Sequence, residues 1–156
     1  MKIYTSYFYQ IRNFTPNIIP LSTAISDPSW YHNGRNKYIT FFDKRGIING
    51  LRAEPFVPGP QCRDLCHGAK ECGNSPAQCT FLQAYREQLN KLNFEDMLAR
   101  FYQLNRKMRA LENTDWEYKF ALIFHEAPTN PCSERWAVQD WFKAHGYNIE
   151  EFKKGE

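Results

Sequence analysis

The sequence predicts a small three-layer α/β domain with a mostly parallel sheet, interrupted by a cysteine-rich insert. Two short segments near the N-terminus, Lys2–Phe8 and Ile18–Ile25, are rich in β-branched and aromatic residues, as strands are. A continuous apolar run, Tyr118–Phe124, follows two stretches of helical periodicity, which is how a strand covered on both faces reads. Four of the five cysteines fall between Cys62 and Cys79. With 156 residues, the chain reads as one domain over 1–156, with a metal-binding loop over 56–80 inside it.

Each element has a local cause. Asn13–Asn17 is a turn, because Pro16 restricts the residue before it. Pro20 cannot donate to a ladder, which weakens Ile18–Ile25 as a strand and suits a strand start or a sheet edge. Residues 26–60 carry turn formers and one short strand candidate, Tyr38–Phe42. Thr80 with Gln83 has the pattern of a capping box, followed by Phe81, Leu82, Tyr85, Leu89 and Leu92 on one helical face. Asn93 caps a second helix, whose stripe is Phe94, Met97, Leu98, Phe101, Leu104, Met108 and Leu111. Ser133–His145 is a final helix with Ala137, Val138, Trp141 and Phe142 inward and Gly146 as its C′ residue.

Composition excludes little. Apolar residues are 42% and charged residues 24%, as in ordinary globular domains, and a net charge of +3 without a like-charge block does not mark a nucleic-acid binder. The first ten residues lack an apolar signal core, and the longest apolar run, Phe120–Phe124, is too short to span a membrane. A cytoplasmic protein is therefore expected, with no membrane contact. In a reducing compartment clustered cysteines bind metal more often than they pair, and an odd count leaves one unpaired.

The cysteine spacing is Cys62-x3-Cys66-x5-Cys72-x6-Cys79. Four thiolates on a loop with Gly68, Gly73 and Pro76 suit one tetrahedral ion, zinc first, with a 4Fe–4S cluster as the alternative. His67 is a further ligand candidate. Four protein ligands leave no open coordination position, which points to a structural role.

The second chemical signal is HEAPTNPCSER, where the apolar strand ends and the last helix begins. Ligands of open α/β sheets bind at the carboxyl ends of strands. Glu126 is a candidate acid/base, His125 a proton carrier, and Cys132 a nucleophile beside a helix N-terminus. Ser133 and Arg135 are candidates to hold an anionic group there. Ser22, at the end of the second strand, and Trp30 and Tyr31, in the following loop, are candidates to bind or stack on a substrate ring. Each has a plainer reading: His125 or Cys132 as core, Arg135 paired with Glu134 or Asp140, and both aromatics covering the core.

The start MKIYTSYF, the segment PxxWYxxG of Pro28 to Gly34 and the ending ALIFHEAPTNPCSERWAVQDWFKAHG resemble the domain of unknown function 488 family. In that likeness Glu126 matches an acidic residue after the apolar strand, Arg135 an arginine, and Trp141 a helix tryptophan. The match departs at Cys132-Ser133-Glu134-Arg135, which is one residue longer than the family's cysteine–histidine–arginine group and lacks its histidine. No role for that histidine is carried over. The resemblance implies a Rossmann-like domain and makes nucleotide or nucleoside handling an expectation by analogy. The function expected is hydrolysis or group transfer on a nucleotide, nucleoside or nucleic acid. The alternatives are a non-catalytic, metal-stabilised binding protein and a redox or sulfur-handling protein.

Overall fold

Lys119–Phe124 forms the strand on which the sheet is built, and its alternation decides the two halves of the core. Phe120, Leu122 and Phe124 point into one apolar cluster and Ala121 and Ile123 into another. The computed structural model describes residues 1–32, 41–42, 48–49, 51–63, 65 and 75–156. The strands are β1 (Ile3–Tyr7), β2 (Ile18–Ser22), β3 (Phe41–Phe42), β4 (Ile48–Asn49), β5 (Lys119–Phe124) and β6 (Glu150–Glu151). The α-helices are α1 (Pro60–Arg63), α2 (Thr80–Asn90), α3 (Phe94–Glu112) and α4 (Glu134–Ala144).

The main sheet has the order β2-β5-β1-β6, and every pairing in it is parallel. β5 therefore lies between the first two strands, with Ile3 opposite Phe120 and Ile19 also opposite Phe120. β3 and β4 form a separate antiparallel pair. The expected strand at Tyr38–Phe42 is realised at Phe41–Phe42, and residues 38–40 lie outside the described ones.

β2 stands at the sheet edge, as Pro20 requires. Its outer carbonyls are not left bare. The Tyr31 hydroxyl donates to Pro20 O and Leu51 O, and Ser22 bridges to the segment around Arg52.

The larger cluster joins the sheet to α2, α3 and α4, whose buried faces carry Phe81, Leu82, Tyr85, Leu89, Phe94, Met97, Phe101, Val138 and Phe142. Full burial of each such side chain contributes about 1.5–3 kcal/mol, which outweighs the few tenths that separate helix propensities. The opposite face is covered by the 3₁₀ turn Phe8–Asn13, by Tyr31 and by Phe152. Among the described residues no α-helix enters that cluster, so the third layer predicted from the sequence is a turn and coil. The segment between β1 and β2 is too short for a crossover helix, and the turn fills its place.

Local signals were realised unevenly. Asn93 accepts from Asp96 N at 3.0 Å, as a cap should. Gly146, at φ +78°, ends α4 in a Schellman motif: Tyr147 N–H reaches Phe142 O, Gly146 N–H reaches Lys143 O, and the Tyr147 and Phe142 rings meet at 5.9 Å. The capping box of Thr80 and Gln83 does not form. Cys79 is the N-cap, because the turn Pro76–Gln78 leads straight into the helix, and Gln83 donates instead to Ala77 O. Leu111, in the last turn of α3, is 60% exposed and so does not join the buried stripe. Among the described residues no helix is long and apolar enough to cross a membrane.

Candidate functional site

In an all-parallel sheet the carboxyl ends of the strands share one edge, and here β2 and β5 deliver Thr23 and His125–Glu126 to it. The loop from β5 to α4 is set by its own polar groups. Asn130 Oδ1 accepts from Cys132 N at 2.9 Å, Asn130 O accepts from Trp136 Nε1 at 2.9 Å, and Asn130 N–H closes a turn on Ala127 O. Ser133 then caps α4, its Oγ accepting from Arg135 N at 3.3 Å and donating to Glu126 Oε2 at 3.3 Å. One hydroxyl thus joins the helix start to the carboxylate at the strand end.

Glu134, in the first turn of α4, is hydrogen-bonded to Glu126. Its carboxyl is pushed up to about 8, first by burial and then by the negative charge of Glu126. Its own backbone amide and Arg135 pull the other way. A helix N-terminus favours an ionised carboxylate by about 0.3–1 kcal/mol. Burial beside a like charge outweighs that here.

Arg135 lies beneath the pair at 0% exposure. Nη2 donates to Glu126 O at 2.6 Å and Ser6 O at 3.1 Å. The guanidinium carbon sits 5.7 Å from the Tyr7 ring centre and 5.5 Å from that of Phe124. Nε is 3.5 Å from Glu151 Oε2, and Nη1 has no hydrogen-bond partner among the described residues. Burial draws the guanidinium below its ordinary pKa, opposed by Glu151, Glu126 and Glu134. Burial likewise raises the Glu151 carboxyl, against the pull of Arg135 and Thr5. Thr5 Oγ1 donates to Glu151 Oε2 at 2.6 Å and accepts from Gln139 Nε2 at 2.7 Å, which ties β6 and α4 to the middle of β1.

A cavity of about 240 Å³ opens at this edge, lined by Thr23, Ala24, Phe124, His125, Glu126 and Glu134. His125 is exposed, and its Nε2 lies 2.8 Å from Ser26 O. A carbonyl only accepts, so that nitrogen carries the proton.

The structure therefore brings His125, Glu126, Ser133 and Arg135 together but changes what several of them do. Arg135 is sealed beside Glu126, Glu134 and Glu151 and is not among the residues lining the cavity, so it holds the backbone of Glu126 and does not offer an anion site. Ser133 is wholly buried and occupied by its cap and by Glu126. Ser22 is also buried; its hydroxyl donates to Asp27, which pairs with Arg52 at 2.6 Å, so it holds the loop after β2. Tyr31 is 0% exposed and cannot stack on a ligand, whereas Trp30 is 41% exposed. Cys132 is half-buried and packed against the larger core cluster. Glu134 and Glu151 were not singled out from the sequence. Glu134 had a signal, as the first helical residue after the cap Ser133; Glu151 had none, since only the β1–β6 pairing brings it in.

Cys62 and Cys79 are both buried in the larger cluster. Cys62 Sγ lies 3.7 Å from Gln88 Oε1, and burial raises its thiol pKa. Cys66, Cys72 and His67 lie outside the described residues. Among the described residues no group of three or more side chains is placed to hold a metal ion. No protein-family model, curated protein or solved structure matches this chain.

Proposed function

We propose that this protein is a hydrolase of N-glycosidic bonds, working on nucleoside-type substrates with the Glu126–Glu134 pair as its acid and base. The observation that carries the reading is the placement of two carboxyls, Glu126 and Glu134, on the wall of one strand-end cavity, the second of them held protonated by burial. Ionised Glu126 takes a proton from a water attacking the anomeric carbon, and protonated Glu134 gives one to the departing ring nitrogen. The C–N bond breaks and a C–O bond forms. The pair ends with one proton, as it began, and proton transfer along its own hydrogen bond resets it. His125, on the same wall, orients the substrate through its free ring nitrogen.

Phosphoryl transfer fits the charges less well. The cavity presents carboxylates, and Arg135, which lies beside them, is sealed below. Release of free base from adenosine or uridine, followed chromatographically, tests the reading. Glu126→Gln is expected to lower the rate by about 10²–10⁴-fold with the fold retained. A variant with undiminished turnover would remove Glu126 from the mechanism.

The cysteine loop is proposed as a structural zinc site made by Cys62, Cys66, Cys72 and Cys79, with the 4Fe–4S cluster as its rival. Two thiols buried in one apolar cluster, one at each end of the insert, support it. The site would fasten the insert to the start of α2. The likeness to the domain of unknown function 488 family belongs to the same reading, since it rests on Glu126, Arg135 and Trp141.

A further inference from the structure

The last strand carries a carboxylate on the side of the sheet that the helices cover. Ile149, two residues before Glu151, packs into the larger core cluster, and Phe152 packs into the other. Strand alternation puts Glu151 on the helix side with Ile149, and its side chain is 19% exposed. A polar group so placed costs stability unless it has partners. β6 is only two residues long and pairs with β1 alone. Phe152 pins it: the N–H donates to Thr5 O at 2.8 Å, and the ring meets Phe14 at 4.7 Å and Tyr4 at 5.7 Å.

One oxygen of Glu151 makes both of its contacts. Oε2 accepts from Thr5 Oγ1 at 2.6 Å and faces Arg135 Nε at 3.5 Å as an ion pair. Thr5 Oγ1 in turn accepts from Gln139 Nε2 at 2.7 Å. Through Nη2 the guanidinium donates to Glu126 O at 2.6 Å and to Ser6 O at 3.1 Å. A continuous path of polar contacts therefore runs from Gln139 through Thr5, Glu151 and Arg135 to Glu126. Glu151 itself is not among the residues lining the cavity of Glu126 and Glu134.

Two other carboxylates act on the same guanidinium, Glu126 and Glu134, and both lie on the cavity wall. A buried cation that loses one counter-charge is drawn toward those that remain. Without Glu151, Arg135 would leave the carbonyl it now holds and pull on the carboxylates instead. Glu151 balances that pull.

We propose that Glu151 is a positioning residue for the acid–base pair: held by Thr5, it keeps Arg135 on the backbone of Glu126 and so sets where the Glu126 carboxylate stands. This rests on the acid–base reading above. Steady-state release of free base from adenosine or uridine, together with carbon NMR of the Glu126 backbone carbonyl in the full chain, tests it. Glu151→Gln keeps the shape of the side chain and removes its charge. It is expected to lower kcat at least about tenfold, the scale on which a small displacement of a reacting group acts, with KM within about threefold. The Glu126 carbonyl signal is expected to move, while that of Ile123, whose carbonyl is held by Thr23, stays in place. Thr5→Val keeps the branched shape and the Glu151 charge but removes the hydroxyl. It is expected to move the Glu126 signal in the same direction with a smaller loss of kcat, and it carries the test alone if circular dichroism shows Glu151→Gln unfolded. An unmoved Glu126 carbonyl, or a loss of rate carried by KM, would overturn the inference. A moved carbonyl in a protein whose natural chain releases no base would keep the positioning role and remove the hydrolytic reading. Base release at the natural rate in both variants, with the carbonyl unmoved, would do the reverse.

Discussion

Arg135 donates through Nη2 to the backbone carbonyl of Glu126 at 2.6 Å from a side chain with no solvent exposure. The same nitrogen reaches Ser6 O at the end of β1. A helix residue thereby fixes the exit of one strand against the exit of its neighbour. The carboxylate of Glu126 is aimed by a cation that never meets solvent.

Removing that cation leaves the Glu151 carboxylate without its buried partner and the neighbouring Glu126 and Glu134 without a nearby positive charge. Arg135→Met keeps the volume and loses the charge, and should lower unfolding free energy by about 3–5 kcal/mol. Urea denaturation reads this directly. A loss under about 1 kcal/mol would mean that the carboxyls take up protons in its place and that Arg135 is not their anchor.

The Glu134 carboxyl is held above its ordinary pKa by burial and by Glu126. The folded chain therefore keeps a proton that the unfolded chain releases near 4.5, and stability falls as pH rises from there toward about 8. Glu134→Gln should remove this slope. It should also be more stable than the natural chain by about 1–3 kcal/mol at pH 8, after discount for partial exposure, with little difference at pH 4. Parallel pH profiles for the two proteins would contradict the raised pKa of Glu134.

The phenol of Tyr31 closes the free edge of β2 by donating to Pro20 O and Leu51 O. Burial pushes its pKa far above the usual range, so it donates at every pH of interest. Tyr31→Phe preserves the ring and removes the hydroxyl from Pro20 O, while Leu51 O keeps the Ser22 N–H, at about 1–3 kcal/mol of stability. Thermal unfolding unchanged to within a few tenths would show that water serves the edge as well.

Purified protein is expected to carry about one zinc per chain with a featureless visible spectrum, by elemental analysis and absorption. Chelation should lower its melting temperature, and Cys79→Ser should reduce metal content. Stoichiometric iron with a visible band would replace zinc by the cluster. Neither metal at stoichiometric level would sink the site.

Legibility differed by the range of the interaction. The caps at Asn93 and Ser133 and the stop at Gly146 could be read because each depends on residues within one turn. The capping role expected of Thr80 failed, since the turn before the helix made Cys79 the boundary. Tyr31 and Trp30 are adjacent and chemically alike, yet one is core and the other stays exposed. That choice rests on where β2 and Leu51 leave carbonyls to be met.

By itself the sequence determined the class of fold, the parallel character of the sheet and the loop on which Glu126 stands. Periodicity and turn chemistry act over a few residues, and those features are built at that range. Tertiary structure alone decided that Glu126 and Glu134 line one cavity, that Arg135 turns inward, and that Glu151 arrives from the last strand. Desolvation and charge proximity depend on which strands lie side by side. The placement of β5 between β1 and β2 is a property of the whole chain.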